Sequence, residues 1–134
     1  MQNKPSVYEL ELTVRDYELD LQGIVNNSVY QNYLEHARHE YLLSKNIDFA
    51  ALHEQGIDLV VSRVEIDYKT PLKSRDKFVV KLNTQKEGHL RIVFNQWIER
   101  LSDNKIIVIG KITGVCLKNG RPVKPEDVIG MSWE

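Results

Sequence analysis

A carboxylate, a glycine and two consecutive amides lie close together in the stretch Asp20-Leu-Gln-Gly-Ile-Val-Asn-Asn-Ser28. A carboxylate can attack an acyl carbon as a nucleophile, or it can activate water as a general base. An unpaired backbone N–H at a helix start can stabilise the oxyanion that forms during such an attack. The stretch is therefore a candidate site for acyl chemistry, in which Asp20 faces the carbonyl carbon and the Asn27 N–H polarises the carbonyl oxygen. Gly23 permits a positive φ and a close approach of backbone to a ligand.

Asp20 also has a structural alternative, because a loop carboxylate is commonly solvated or caps a turn. The segment that follows is predicted to form a helix from Val29 to Lys45. Either Asn27 or Ser28 is predicted to cap it, since each side chain can accept from an unpaired N–H of the first turn. Apolar residues recur at helical spacing on one face of this helix, which predicts that the face is buried. They are Tyr30, Tyr33, Leu34, Ala37, Tyr41 and Leu42.

Five strands are predicted from alternating or continuous apolar runs. They span residues 7–15, 60–69, 78–84, 90–99 and 106–117, with short helices at 48–55 and 125–130. Each strand face and the long helix have an apolar surface to bury. The order therefore predicts one α+β domain over residues 1–134, in which a five-stranded antiparallel sheet wraps around one long central helix.

The composition argues against several classes of function. The chain has 134 residues, with 18 basic and 19 acidic side chains, so it lacks the charge excess typical of proteins that bind nucleic acid or an anionic membrane. The first residues lack the apolar region of a signal peptide, and no uninterrupted apolar run is long enough for a membrane span. A cytoplasmic location is therefore expected. The single cysteine, Cys116, excludes an internal disulfide and is interpreted as a small buried hydrophobe.

Metal chemistry is also not indicated. His36 and His39 lack the four-residue spacing of a helical metal pair, and the chain has no His-Glu-x-x-His motif. Lys73, Arg75 and Lys77 cluster at a corner between two predicted strands. They are interpreted as a solvated basic turn rather than as a site for the phosphates of coenzyme A.

Two blocks of the chain resemble a known family. The first is Asp20-x-x-Gly23-x-Val25 followed by Asn26-Asn27 and by the helix residues Tyr30, Tyr33, Leu34, Glu35, Ala37 and Arg38. The second is Tyr68-Lys-Thr-Pro71-Leu72-x-x-x-Asp76. Both are similar to hotdog-fold acyl-CoA thioesterases of the 4-hydroxybenzoyl-CoA thioesterase type, and the order of elements matches from about residue 6 to residue 120.

The resemblance implies a hotdog fold and a homodimer or homotetramer with active sites at subunit interfaces. It implies hydrolysis of an acyl-CoA thioester to a free acid and coenzyme A, without a metal or other cofactor. The catalytic roles carry over to Asp20 and to the backbone N–H of Asn27. Substrate binding is assigned to four further residues of the same region, namely Gly23, Val25, Asn26 and Tyr30.

Two alternative functions remain open. Many relatives carry Tyr-His in place of Asn26-Asn27, whereas a branch that acts on longer acyl chains or on acyl carrier protein reads His-Val-Asn-Asn; this chain has Ile24 at that histidine. An acyl-carrier-protein thioesterase and a non-catalytic module that binds an acyl thioester are therefore both consistent with the sequence. Glu35 is a weaker candidate for a second carboxylate at the site.

Overall fold

The computed structural model describes residues 7–129, and their secondary structure follows the predicted order. The strands are β1 (Tyr8–Thr13), β2 (Ile57–Tyr68), β3 (Lys77–Glu87), β4 (Arg91–Arg100), β5 (Ile106–Lys118) and β6 (Arg121–Val123). The helices are α1 (Asn27–Ser44), α2 (Phe49–Glu54) and α3 (Pro125–Ile129), and a single 3₁₀ turn spans Asp16–Glu18. Gly130, the predicted last residue of α3, lies outside the described residues.

One antiparallel sheet contains all six strands, in the order β1-β3-β4-β5-β2, with β6 paired to the end of β5. The sheet curls around α1, so the prediction of five antiparallel strands wrapped around one long helix is confirmed. The sequence did not predict β6, because three residues are too few to show an alternating pattern. It follows the Asn119-Gly120 turn and continues the pairing of β5 beyond Val115, which pairs with the first residue of β4, Arg91.

The long helix forms the centre of the hydrophobic core. Its buried residues are the predicted apolar stripe, Tyr30, Tyr33, Leu34, Ala37, Tyr41 and Leu42. The Tyr33 ring lies 4.7 Å from the ring of Phe78 on β3, and the Tyr41 ring lies 6.5 Å from that of Phe94 on β4. Each large apolar side chain buried in this way contributes about 1.5–3 kcal/mol to folding. Packing of α1 against the sheet therefore holds the first turn of the helix in place.

Cys116 is fully buried on β5, as its apolar neighbours predicted. Burial raises the pKa of its thiol to about 11. The thiol is therefore protonated and unreactive at neutral pH.

Strand β2 forms one edge of the sheet and pairs only with β5 within the described chain. It is much more exposed than the central strands, and Val60, Val61 and Val64 are each more than two-fifths exposed. Edge strands of this kind present unpaired backbone N–H and C=O groups. Among residues 7–129, no helix is both long enough and apolar enough to cross a membrane.

Candidate active site

Helix α1 begins two residues earlier than predicted, and Asn26 is its N-cap. Asn26 has an extended backbone, and its side-chain oxygen accepts from the Ser28 N–H at 3.1 Å. The Ser28 hydroxyl donates to the same oxygen at 3.0 Å. The prediction that Asn27 or Ser28 caps the helix is therefore wrong, because Asn27 is already the first helical residue.

This shift leaves the backbone N–H of Asn27 available. Within residues 7–129, no acceptor contacts the Asn27 N–H. The Asn26 side chain accepts from the Ser28 N–H instead, and the Asn26 carbonyl accepts from the Val29 N–H at 2.9 Å. The first turn of α1 also contains no acidic residue that would neutralise the positive end of the helix dipole. Asn27 is exposed, so an external acceptor can reach its N–H.

Asn27 lines a cleft of about 240 Å³ at the start of α1. The end of β2 and the corner that follows it form the opposite wall. The full lining consists of Ile24, Val25, Asn27, Tyr30, Tyr68, Lys69, Thr70 and Pro71. Of the predicted site residues, Val25, Asn27 and Tyr30 therefore share one cleft, whereas Asp20, Gly23 and Asn26 lie outside its lining.

The loop with Asp20 and Gly23 is a tight turn that leads into this cleft. Gly23 donates its N–H to the Asp20 carbonyl at 3.1 Å, and Asp20 donates to the Ile24 carbonyl at 2.8 Å. Gly23 has a φ of 78°, so its predicted positive φ is confirmed. An added Cβ there would meet no atom within 4 Å, so the glycine is required by conformation rather than by space.

The Asp20 carboxylate is held at one oxygen and open at the other. Its Oδ1 accepts from the Gln22 N–H at 2.8 Å and from the Ile24 N–H at 3.4 Å. In the described part of the chain, no donor reaches Oδ2. Asp20 therefore does cap its turn, as the structural alternative predicted. Because the residue is only half-buried, its second oxygen is available to a water molecule or a substrate.

The corner after β2 fastens this loop to the sheet. Val25 donates its N–H to the Leu72 carbonyl at 2.9 Å, and Ile24 pairs with Lys73 in an isolated antiparallel bridge. The Tyr30 hydroxyl accepts from the Leu72 N–H at 3.0 Å. Burial raises the pKa of Tyr30, so this hydroxyl is neutral and shapes the cleft rather than transferring a proton at neutral pH.

Tyr68 is a cleft residue that the sequence-based prediction missed. Its ring lies 5.7 Å from the Tyr30 ring, and its hydroxyl donates to the Asn27 carbonyl at 3.4 Å. Tyr68 stands in the second family-like block, and that block was the signal that could have identified it. Alternation had assigned Tyr68 only to a strand.

Glu18 was missed as well, although it lies only two residues before Asp20. Its carboxylate is buried and accepts from the Tyr33 hydroxyl at 2.9 Å and from the Arg15 N–H at 2.7 Å. The Glu18 carbonyl accepts from the N–H of the N-cap residue Asn26 at 3.0 Å. Glu18 therefore ties the turn to α1 from the inside.

The remaining candidates lie away from the cleft. Glu35 is exposed and lies 3.7 Å from His39 on the outer face of α1. In the portion that the structure covers, no three histidine, cysteine or acidic side chains are grouped so that they could hold a metal ion. The predicted absence of a metal and of a cofactor stays a prediction.

A model of the thioesterase-like superfamily matches residues 14–130, which is most of the chain. The chain belongs to the thioesterase-like superfamily. The resemblance stated from the two sequence blocks, including its hotdog fold, is thereby confirmed.

Among its relatives, this thioesterase-like protein is 42% identical over 118 residues to the chloroplastic acyl-acyl carrier protein thioesterase ATL3 of Arabidopsis thaliana. The match covers 87% of this chain and 62% of the plant protein, so the chain spans about three-fifths of that relative's length. The long-chain acyl-CoA thioesterase FadM of Escherichia coli is 27% identical over 109 residues, which are 81% of this chain and 82% of FadM.

A solved structure shares the fold of this thioesterase-like protein. It is the DHNA-CoA thioesterase of Staphylococcus aureus, with a TM-score of 0.81 and 24% sequence identity. The match covers 90% of this chain and 82% of the other. This likeness supports the fold.

Proposed function

We propose that this protein hydrolyses the thioester of an acyl-CoA to a free carboxylic acid and coenzyme A. One observation carries the proposal. The unpaired N–H of Asn27 lies at a helix start free of acidic residues and lines a cleft, and the turn that contains Asp20 leads into that cleft. Membership of the thioesterase-like superfamily supports the same reaction.

In the proposed reaction, the acyl carbonyl oxygen accepts from the Asn27 N–H. This donor stabilises the tetrahedral oxyanion by on the order of 3 kcal/mol. The free oxygen of Asp20 takes the proton from an attacking water, or it attacks the carbon itself and water then hydrolyses the mixed anhydride. The C–S bond breaks and the thiolate leaves; since an ordinary thiol has a pKa near ~8.5, it departs without a strong general acid.

Substrate binding in this proposal depends on two groups of residues. Val25 and Tyr30 bound the cleft, while Gly23 and Asn26 keep the turn and the helix start in position. Tyr68 faces Tyr30 across the cleft and adds an apolar surface for the acyl group.

The proposal includes assembly into a homodimer or homotetramer. The exposed edge of β2, with Val60, Val61 and Val64, supports a partner that is a second copy, because pairing two such edges would satisfy their open backbone groups. Light scattering after size exclusion should give twice or four times the chain mass. A chain that is monomeric at assay concentration would contradict this part of the proposal.

The experiment that tests the reaction is a thiol-release screen over short, long and aromatic acyl-CoAs, run beside an Asp20→Asn protein. Release by the wild-type chain and its near loss in Asp20→Asn are expected. Thermal stabilisation by acyl-CoA without any thiol release would instead identify a non-catalytic acyl-thioester-binding module.

Acyl carrier protein is the second candidate carrier of the acyl group. The relative that is 42% identical is named an acyl-acyl carrier protein thioesterase, and the run Val25-Asn26-Asn27 is shared with the carrier-protein branch of the resembled family. Measuring kcat/KM for one acyl group on coenzyme A and on acyl carrier protein separates the two candidates.

A further inference from the structure

Four cations follow one another at the corner between β2 and β3. Lys69, Lys73, Arg75 and Lys77, here called the basic corner, are all exposed. Within the described chain, none of them lies in an ion pair with a carboxylate, whereas Lys81 and Lys86 on the following strand each do. The basic corner therefore presents charge that the described chain does not neutralise.

Asp76, the one carboxylate inside this segment, pairs with Arg100 and a backbone N–H rather than with the side chain of any of the four cations. Its Oδ2 accepts from the backbone N–H of Lys73 at 2.9 Å and lies 3.4 Å from the largely buried guanidinium of Arg100. From the neighbouring loop, Asp16 accepts from the Ser74 hydroxyl at 3.1 Å. The four cations outnumber the two carboxylates at the corner, Asp76 and Asp16, so the corner has a local excess of positive charge, although the whole chain carries a formal net charge of −1.

The position of the basic corner relative to the candidate site is set by backbone contacts. Lys69 itself lines the cleft, and Lys73 is bridged to Ile24 on the turn that contains Asp20. These contacts place Lys69 and the backbone of Lys73 at the rim of the cleft, and Arg75 and Lys77 follow in the same corner of the chain. When the acyl group of a substrate lies in the cleft, the part of the substrate beyond the thioester must pass this rim.

We infer that the basic corner binds the phosphate at the far end of the phosphopantetheine arm of the substrate. This inference rests on the proposed function, and it replaces the interpretation of a merely solvated turn. Both coenzyme A and acyl carrier protein attach the acyl thioester through a pantetheine arm that ends in phosphate. Lysine and arginine are the side chains that bind phosphate oxygens through charge-assisted hydrogen bonds.

Because these cations are exposed, they are expected to affect substrate binding rather than the chemical step. Charges at the rim of a cleft act mainly on encounter and on ground-state binding, and salt screens them over a Debye length of about 8–10 Å. Loss of corner charge should therefore raise KM and leave kcat unchanged. The KM of the wild-type protein should also rise with ionic strength.

The test uses the double variant Lys73→Gln and Arg75→Asn. Arg75 has a φ of 63°, a left-handed conformation that asparagine adopts readily, so the variant should fold as the wild type does. Its KM for an acyl-CoA should rise roughly tenfold, as expected when two charge-assisted contacts are lost. Its kinetics on the matching acyl-pantetheine, which lacks phosphate, should equal those of the wild type.

A matched control removes the same charge elsewhere. Lys118 and Arg121 are exposed residues that pair across the β5–β6 turn, and Lys118 pairs with Ile57. Ile57 and Tyr68 are the two ends of β2, which lie roughly 35 Å apart at ~3.3 Å per residue. Lys118→Gln with Arg121→Gln should leave KM for acyl-CoA unchanged.

Three substrates separate the possible outcomes. A KM increase on acyl-CoA assigns the phosphate to coenzyme A, and an increase confined to acyl-carrier protein assigns it to the carrier. Equal KM values for the double variant and the wild type on both carriers, or an equal increase on acyl-pantetheine, would overturn the inference while the proposed function stands. If the wild type releases no thiol from any substrate, the proposed function fails. Calorimetric titration of the wild type and of the double variant with coenzyme A then tests the basic corner alone. Equal affinities, or no detectable binding by the wild type, would overturn the inference.

Discussion

Two carboxylates that stand two residues apart have opposite environments. Glu18 is buried, and Tyr33, the Arg15 N–H and the α1 helix surround it. Asp20 is half-buried in a turn and has one oxygen that no described donor reaches. A buried carboxylate with satisfied hydrogen bonds stabilises a structure, whereas a held but incompletely paired carboxylate is available for chemistry. The comparison therefore predicts a stabilising role for Glu18 and supports the proposed catalytic role of Asp20.

The largest effect expected concerns activity at Asp20. Asparagine keeps the size of the side chain and can still accept from the Gln22 and Ile24 N–H groups through its carbonyl oxygen. It cannot act as a base or as a carboxylate nucleophile. Thiol release by Asp20→Asn should fall by at least about 100-fold, while the urea midpoint changes little. Undiminished turnover would remove Asp20 from the mechanism and end the contrast between the two carboxylates.

At Glu18, the main effect should be on stability. Removing the carboxylate in Glu18→Ala leaves the buried Tyr33 hydroxyl and the Arg15 N–H without their acceptor. Arg15 is exposed, so water can replace the acceptor of its N–H, whereas the unpaired buried hydroxyl of Tyr33 costs about 1–3 kcal/mol. The free energy of unfolding should therefore fall by roughly 2 kcal/mol. Urea denaturation measures this change.

A double-mutant cycle sharpens that result. Tyr33→Phe alone should cost about 1 kcal/mol, and in the Glu18→Ala background it should cost less, since the hydroxyl then has no partner to lose. Additive losses would show that Glu18 and Tyr33 do not act as a pair. Glu18→Gln, which keeps an acceptor oxygen, should retain most of the stability and serves as the conservative control.

Raising the pH should reduce the stabilisation from the Tyr33–Glu18 pair, by less than the substitutions do. Burial, and then the hydrogen bond to Glu18, raise the pKa of Tyr33 well above its ordinary value. The unfolded chain releases this proton near pH ~10, so the stabilisation is present below that pH and is lost as pH rises further. Between about pH 10 and 11, the wild type should lose up to ~1.4 kcal/mol more than Tyr33→Phe. Parallel unfolding curves for the two proteins would contradict this assignment.

Gly23 should give the smallest effect on stability. Alanine would face no neighbour within 4 Å, so its cost comes only from the positive φ and is about 1 kcal/mol. Because the strained turn holds Asp20, turnover should decline more than stability does. Gly23→Asn is the matched control, since asparagine tolerates the left-handed conformation better than alanine and should lose less of both.

Much of the fold was predictable from local sequence patterns. The α1 stripe from Tyr30 to Leu42 has the period of a helix face, and strands β3, β4 and β5 show alternation or continuous apolarity, so burial followed from spacing alone. The position of β6 was not predictable, because its pairing depends on where β4 begins beside β5 rather than on its own three residues.

The candidate site was predictable in part. Asp20, Gly23 and Asn27 were selected by residue type and by their place before a helix, and the positive φ of Gly23 followed from turn chemistry. The choice among Asn26, Asn27 and Ser28 as the cap was not predictable, since all three side chains can accept from a helix N–H. The contact between the Asn26 N–H and the Glu18 carbonyl accompanies the actual choice, and it joins segments that only folding brings together.

The sequence by itself determined which segments have a face to bury and which residue types stand at the start of the central helix. Only the tertiary structure decided that Glu18 is an interior anchor while Asp20 keeps an open oxygen, because burial depends on what packs across from a residue rather than on its neighbours in the chain. The same holds for the basic corner. Its cations are visible in the sequence, but their place at the rim of the cleft follows from the pairing of Lys73 with Ile24 across the fold.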